Sequence, residues 1–307
     1  MIYQKQLGDV LMMEPALAKL AAFNRTPVRF STRKAFAPMV SLMENVCFSA
    51  YAPFRRASAV YSFSERPHAA LKTLLTRSKQ KHLFVIVDAH LRPWHPWVYP
   101  AGCHVESKEA SYRAEHFFNN MPCPAAFPFR PPQLLSPPGN WLPTGLPSSY
   151  ILLHATAAWQ QKSWPADRWA QVLDGLHDAG AGPFVLTGGT AAWEREFVHS
   201  IRRGTRARVV DVAGRTTLQN YLAINANARM VLCIDGSATH LASAFRRPML
   251  TLFGPTLPSR WFYPSRTSSL IDARSFSPEM KPAVDVIPVA PVLAAALALW
   301  KESEPLA

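Results

Sequence analysis

Asp235 and His240 stand five positions apart, directly after an apolar run, and both side chains can take part in chemistry. Residues 230–234 are rich in β-forming side chains, and the small and polar residues at 235–237 are typical of a turn and a helix start. Helical spacing continues to residue 245, Pro248 ends it, and residues 249–253 form a second apolar run. The segment therefore predicts a strand, a turn, a helix and a second strand.

The predicted turn at 235–237 is suited to an anion. In such a βαβ unit, backbone N–H groups and the positive helix end point outward from the carboxyl edge of a parallel sheet, where a diphosphate can bind. Asp235 and His240 each also have a structural interpretation, as a helix N-cap and as a packed core histidine. The residues alone leave both interpretations open.

Four segments, in order along the chain, carry a resemblance to a known family. The first, QLGDVLMMEPALAKL at 6–20, contains G-D-V-L-x-x-x-P-A-L, and the second, at 152–176, contains H-A-T followed by K-x-W-P-x-x-x-W. LTGG at 186–189 supplies a G-G loop, and the central unit ends in F-G-P-T-x-P at 253–258. Together they resemble the ADP-heptose:lipopolysaccharide heptosyltransferases, glycosyltransferase family 9.

The resemblance implies an α/β fold of GT-B architecture, with two Rossmann-like doubly wound domains facing a cleft. Between residues 122 and 147 lie nine of the 28 prolines, and this stretch has almost no periodic apolar pattern. We therefore expect an N-terminal acceptor-binding domain at 1–125 and a Pro-rich linker at 126–148. A C-terminal nucleotide-sugar-binding domain, ending in an Ala-rich helix, is expected at 149–307.

The resemblance also assigns roles to single residues. Asp9 corresponds to the general base, whereas Lys162 and Thr156 correspond to residues that face the donor phosphates. Glu194 most nearly matches the acidic residue that holds the donor ribose, with Glu196 as the alternative. The residues alone favour a helix N-cap for Asp9 over a catalytic role, and the resemblance reverses this preference. For the two glutamates, the alternative is an ordinary surface charge.

The central turn departs from the family pattern. Members usually have Asp, then Ser or Thr, then Gly, whereas this chain has Asp235, Gly236 and Ser237. Gly236 removes a hydroxyl group that would meet the diphosphate, and Ser237 is a candidate to replace it. Because Asp235 and His240 match the pattern, we expect donor binding to persist with altered phosphate contacts.

Composition limits the classes of binding partner and the cellular compartment that we expect for this protein. The net charge is +13, but the basic residues are scattered and form no nucleic-acid-binding signature, so we expect no nucleic acid and favour an anionic glycolipid at a membrane surface. The first residues lack a signal core, and no apolar run is long enough to span a bilayer. The four cysteines are far apart, which argues against a zinc site and against a disulfide framework. These features predict a cytoplasmic protein, peripheral on the inner face of the bacterial inner membrane.

The expected function is inverting transfer of heptose from ADP-heptose to the lipopolysaccharide inner core, without metal or cofactor. Two alternatives remain open: another nucleotide-sugar donor or acceptor, and a degenerate nucleotide- or glycolipid-binding protein. If Asp9 is only a cap, Asp88 and His90, after the predicted strand at 83–88, are the next candidates for the base. The aromatic residues at 94–99 are either a packed cluster or part of the acceptor site.

Overall fold

The computed structural model describes residues 1–3, 5–49, 55–64, 66–85, 90–105, 112–123 and 127–303. The chain divides into two compact units, Met1–Pro132 and Gln133–Ala307. The division falls within the stretch predicted as a Pro-rich linker. Asp88 lies outside the described residues, and His90 is half-buried in the first unit.

The first unit is built on short parallel strands. They are β1 Val28–Phe30, β2 Val46–Phe48, β3 Ala59–Ser62, β4 Gln80–Val85 and β5 Gly102–Val105. One sheet pairs β1 with β2, another has the order β3-β4-β5, and Ile2 forms parallel bridges to both Ser31 and Ser62. The resulting order, β2-β1-Ile2-β3-β4-β5, is that of a doubly wound fold in which Ile2 stands at the position of the first strand.

The helices of this unit connect its strands. They are α1 Leu7–Leu11, α2 Glu14–Asn24, α3 Ala37–Val40, α4 Pro67–Leu75, α5 His95–Val98 and α6 Arg113–Asn119. Pro15 lies in the first turn of α2, where its missing N–H costs no intrahelical hydrogen bond, so this proline is compatible with the start of the helix.

The second unit holds one six-stranded, fully parallel sheet. Its strands are β6 Ile151–His154, β7 Phe184–Thr187, β8 Val209–Asp211, β9 Met230–Ile234, β10 Met249–Phe253 and β11 Ser268–Asp272. Its helices are α7 Ala166–Asp178, α8 Ala192–Gly204, α9 Leu218–Ala226, α10 Ser237–Ala244, α11 Pro258–Trp261 and α12 Val289–Glu302. The predicted strands at 230–234 and 249–253 and the C-terminal helix are confirmed.

The strand order β11-β10-β9-β6-β7-β8 places the topological switch point between β6 and β9. In open parallel sheets, ligands bind outside the carboxyl ends of the strands at this point. The loops after β6 and β9 carry Thr156, Lys162 and Asp235, so the topology brings the predicted donor residues to one edge.

Side chains of the central strands alternate between the two faces of the sheet. Ile151 and Leu153 of β6 pack in a core that includes α7, α8 and α12, whereas Leu152 packs in a second core that includes α9 and α10. Both faces are therefore covered, which explains why the strands read as continuous apolar runs.

Part of the predicted linker packs on the second unit. Leu134 N donates to Ala244 O at 3.2 Å, and Asn220 Nδ2 donates to Trp141 O at 2.9 Å. Leu142 and Leu146 contact the apolar core on that face. Residues 133–148 are thus fixed to the second unit by hydrogen bonds and apolar contacts.

The first unit contains a cavity of about 330 Å³, lined by Arg29, Arg55, Arg56 and Lys72 and by the edges of β1 and β3. It lies beside the point where only Ile2 joins these strands, and none of the predicted site residues lines it. None of the helices in the described ranges combines the length and apolar composition that a membrane-spanning helix needs.

Candidate functional site

Lys162, Asp235 and Thr256 meet at the carboxyl edge of the six-stranded sheet. Lys162 Nζ lies 2.6 Å from Asp235 Oδ2, and Thr256 Oγ1 donates a hydrogen bond to the same oxygen at 2.5 Å. The three residues follow β6, β9 and β10 respectively. Asp235 therefore links three neighbouring loops, which is more than an N-cap does.

The ion pair is largely shielded from water, with exposed side-chain fractions of 15% for Lys162 and 6% for Asp235. Attraction between charges is stronger in such a place than at an open surface, but each charge has lost hydration. Removing either partner would leave an uncompensated charge. The pair consequently keeps one ammonium group at the sheet edge.

Arg274 fixes the loop that carries Thr256. Its guanidinium donates to Thr256 O at 3.1 Å and to Pro255 O at 3.4 Å, and it pairs with Asp272 at 2.9 Å. At Gly254, an added Cβ would lie 3.1 Å from Val284 N, so the loop packs closely here. Thr256 and Arg274 were not predicted as site residues, although Thr256 is the threonine of the F-G-P-T-x-P motif.

Thr156 is fully buried after β6, and its Oγ1 has no hydrogen-bond partner among the described residues. It lies against the G-G loop, where a Cβ added at Gly188 would be 3.5 Å from this oxygen. An unsatisfied buried hydroxyl costs roughly 1–3 kcal/mol. Such a group is expected where a ligand completes the hydrogen bond.

Glu194 caps the start of α8 and the G-G loop. Its carboxylate accepts hydrogen bonds from Gly189 N at 3.2 Å and Ala191 N at 3.4 Å. A Cβ added at Gly189 would lie 2.1 Å from Glu194 Oε2, so the glycine makes room for this contact. Glu196, the alternative, forms an exposed ion pair with Arg203.

Gly236 precedes α10 in an extended conformation that any residue adopts, with φ 177°. An added Cβ would meet only ordinary contacts, with Ile234 O at 3.7 Å and Ala157 Cβ at 3.8 Å. The hydroxyl of Ser237 is hydrogen-bonded to Tyr221 OH at 3.1 Å. Burial raises the pKa of Tyr221, so this phenol stays neutral.

Two histidines are buried beside this edge. His240 lies on α10, with its ring centroid 6.1 Å from that of Trp261. His154 ends β6, and its Nδ1 is hydrogen-bonded to Thr187 Oγ1 at 2.9 Å. Burial lowers the pKa of His154 to about 4, so its imidazole is neutral at neutral pH.

Asp9 lies in the first unit, in α1, and is half-buried. Gln6 N donates to Asp9 Oδ2 at 3.3 Å, which is the contact of an N-terminal cap. A cap contact leaves the second carboxylate oxygen available for a proton. Among the described residues, no three His, Cys, Asp or Glu side chains are grouped to hold a metal ion.

A sequence model described as glycosyltransferase family 9 (heptosyltransferase) matches residues 126–281, just over half of the chain. The chain belongs to glycosyltransferase family 9. The match begins near the boundary between the two units and contains all of the predicted donor residues.

Individual relatives agree with this membership. The chain is 28% identical over 174 residues to lipopolysaccharide heptosyltransferase 3 of Escherichia coli K12, which is 53% of this chain and 50% of that protein. The chain thus spans about half the length of this curated relative.

Solved structures share the fold over nearly the whole chain. A family 9 glycosyltransferase from Veillonella parvula matches with a TM-score of 0.79 and 15% identity, covering 98% of this chain and 96% of that one. Escherichia coli ADP-heptose lipopolysaccharide heptosyltransferase II matches with a TM-score of 0.77 and 20% identity, covering 98% of both chains. The predicted α/β fold with parallel sheets is confirmed.

The predicted site residues fall in both units. Thr156, Lys162, Asp235, Ser237 and His240 all belong to the second unit, whereas Asp9 belongs to the first.

Proposed function

We propose that this protein transfers heptose from ADP-heptose to the inner core of lipopolysaccharide. Membership of family 9 supports the reaction class, and a fold neighbour named as an ADP-heptose lipopolysaccharide heptosyltransferase supports the donor. The acceptor is proposed from the named function of the curated relative.

The observation that carries the proposal is the Lys162–Asp235 pair at the switch point of the second unit. A diphosphate leaving group gains negative charge as the sugar–phosphate bond breaks, and a preorganised ammonium stabilises that charge. Lys162 supplies this charge, so the proposed reaction needs no metal. Asp235, itself hydrogen-bonded by Thr256, holds the lysine in place.

Two further groups act on the donor in this proposal. The orphaned Thr156 hydroxyl donates to a phosphate oxygen and so satisfies its own hydrogen-bonding capacity. The N–H groups at the start of α10 add the positive end of a helix. Glu194 acts mainly by fixing the G-G loop, and its carboxylate remains the proposed partner of the ribose hydroxyl groups.

In the transfer step, a hydroxyl oxygen of the acceptor attacks the anomeric carbon and the bond to the diphosphate breaks. Asp9 takes the proton from that hydroxyl group, and ADP leaves with the bonding electron pair. Attack opposite to the leaving group inverts the anomeric configuration. Because the acceptor is an anionic glycolipid, we place the protein in the cytoplasm, peripheral on the inner face of the inner membrane.

The decisive experiment is a transfer assay with purified protein, ADP-heptose and a lipopolysaccharide acceptor that lacks heptose, with and without EDTA. We expect transfer in both conditions and an inverted anomeric configuration in the product, measured by NMR. Parallel reactions with other nucleotide sugars test the alternative donor. Binding of ADP without turnover of any donor would instead identify a non-catalytic nucleotide-binding protein.

A further inference from the structure

Four large apolar side chains are exposed on two adjoining helices of the first unit. Leu71 and Leu74 of α4 are 55% and 53% exposed, and Trp94 and Trp97 at α5 are 40% and 86% exposed. The two helices contact each other. We call these four residues the α4–α5 surface.

Leu71 and Leu74 are not part of the buried face of α4. Ala69, Ala70 and Thr73 form the buried face of this helix. Leu71 and Leu74, three positions apart, lie next to each other on the helix surface and outside this buried face. Exposed apolar side chains grouped in this way mark a surface that binds a membrane or another protein.

The aromatic segment at 94–99 is divided between core and surface. His95 and Tyr99 are buried, in agreement with the packed cluster that was one alternative, whereas Trp97 is among the most exposed large apolar side chains of the described residues. Tryptophan is enriched at the boundary between lipid and water. The exposed half of the segment therefore suits a membrane surface.

The charged side chains of the described segments that carry the α4–α5 surface are basic. The described segments 66–85 and 90–105 contain no Asp or Glu, and their exposed cations include Arg66, Arg77, Lys79 and Arg92. The first unit as a whole has 17 Lys and Arg against 8 Asp and Glu. Within these two described segments a protein partner would meet cations and no carboxylate, a charge pattern that an anionic bilayer complements.

We propose that the α4–α5 surface docks this protein on an anionic phospholipid bilayer, with the leucines and tryptophans in the headgroup region and the exposed cations at the lipid phosphates. Helices that combine apolar and basic residues in this way lie in the interface plane rather than across the bilayer. The inference rests on the proposed function only in choosing a bilayer that carries the acceptor. Docking itself requires neither donor nor acceptor.

The test is co-sedimentation of the full chain with vesicles of phosphatidylcholine alone and with vesicles that contain phosphatidylglycerol in equal amount. We expect binding to the anionic vesicles, weakened by salt. The double variant Leu71→Ala/Leu74→Ala should bind at least about tenfold more weakly, because it removes much of the inserted apolar area. Arg92→Gln should lose about fivefold.

Matched controls come from the second unit, where Leu135 and Met280 are 53% and 88% exposed. The variant Leu135→Ala/Met280→Ala should bind vesicles as the wild type does. Because the test variants change residues of the first unit, circular dichroism and thermal unfolding of each variant show whether that unit is folded. Because Trp97→Ser removes a different part of the surface, it provides a second check if the leucine variant unfolds.

Three results would overturn the inference. They are absence of wild-type binding to anionic vesicles, equal binding by the leucine variant, and loss of self-association in that variant, which would assign the surface to a second copy of the chain. Vesicle binding without heptose transfer would refute the proposed function alone. Transfer to a detergent-dispersed acceptor without vesicle binding would refute the docking surface alone.

Discussion

Lys162 Nζ and Thr256 Oγ1 both contact one oxygen of Asp235, at 2.6 and 2.5 Å. The carboxylate thereby anchors an ammonium group that comes from a loop 73 positions away along the chain. A lysine side chain loses considerable conformational entropy when it is fixed. Here that loss is incurred on folding, so less of it remains to oppose the binding of an anionic ligand.

Lys162→Ala should weaken ADP binding by about 1.5–3 kcal/mol, or roughly tenfold to more than a hundredfold, because a charge-assisted contact with the diphosphate is lost. Titration calorimetry measures this change. Lys281→Ala is the matched control, since Lys281 is an exposed lysine of the same unit and should leave the affinity unchanged. Wild-type affinity in a folded Lys162→Ala variant would exclude Lys162 from the diphosphate site.

Thr156→Val should weaken ADP binding without reducing the free energy of unfolding. The substitution removes a buried hydroxyl that has no partner among the described residues, which relieves a penalty of about 1 kcal/mol or more. Thr187→Val is the control, because the Thr187 hydroxyl is hydrogen-bonded to His154 and its loss should lower stability and spare ADP affinity. A stability loss in Thr156→Val with unchanged ADP affinity would show a purely structural hydroxyl.

Much of the second unit was predictable because its strands are buried on both faces. The apolar runs at 184–187, 230–234 and 249–253 coincide with β7, β9 and β10. β11 was missed because its residues, Ser268–Asp272, are only partly buried at the sheet edge and include two serines. In the first unit, within the expected strand at 2–6, Ile2 forms single bridges to Ser31 and Ser62, and α1 begins five residues later at Leu7.

Several residues of the candidate site could be predicted from the sequence, but the contacts between them could not. Spacing and motifs identified Lys162 and Asp235 separately, yet nothing in a linear sequence shows that residues so far apart form an ion pair. Thr256 and Arg274 acquire their roles only through the fold, which brings the ends of β9, β10 and β11 together. Glu194, expected at the ribose, also caps α8, and both roles use the same carboxylate.

Gly236→Ser should fold normally and bind ADP more tightly than the wild type. An added Cβ meets no contact shorter than 3.7 Å, and a serine N-cap is a few tenths of a kcal/mol better than glycine. The substitution restores the Ser or Thr that usually follows the Asp in the family pattern. Gly254→Ser is the control, because its Cβ would lie 3.1 Å from Val284 N and should destabilise the loop. Unchanged ADP affinity in Gly236→Ser would show that residue 236 does not contact the diphosphate.

His154 should make the folded protein sensitive to acid. In the unfolded chain its pKa is near the ordinary value of 6.5, whereas burial lowers the folded-state pKa to about 4. Between these values the unfolded chain binds the additional proton, so the free energy of unfolding falls as the pH falls from 6.5 to 4. Above pH 6.5 the free energy of unfolding is higher than below pH 4 by the full effect of this pKa shift, about 3 kcal/mol.

The measurement for His154 is thermal unfolding of the wild type and of His154→Gln across that pH range. We expect the stability difference between them to shrink as the pH falls, because glutamine does not titrate. A difference that stays constant would show that His154 has an ordinary pKa in the folded protein.

A comparison of Asp9→Asn with Asp9→Ala distinguishes the role of Asp9 as a general base from its role as a helix cap. If Asp9 takes the acceptor proton, both variants should lose roughly 10²–10⁴-fold in transfer rate while ADP affinity stays unchanged. If Asp9 serves only to accept the hydrogen bond from Gln6 N, asparagine should keep both stability and rate, and only alanine should lose about 1 kcal/mol of stability. Single-turnover transfer measures the rate and thermal unfolding measures the stability. A folded Asp9→Asn variant that transfers within a fewfold of the wild type would assign the base elsewhere, and His90→Gln is then the next variant to measure.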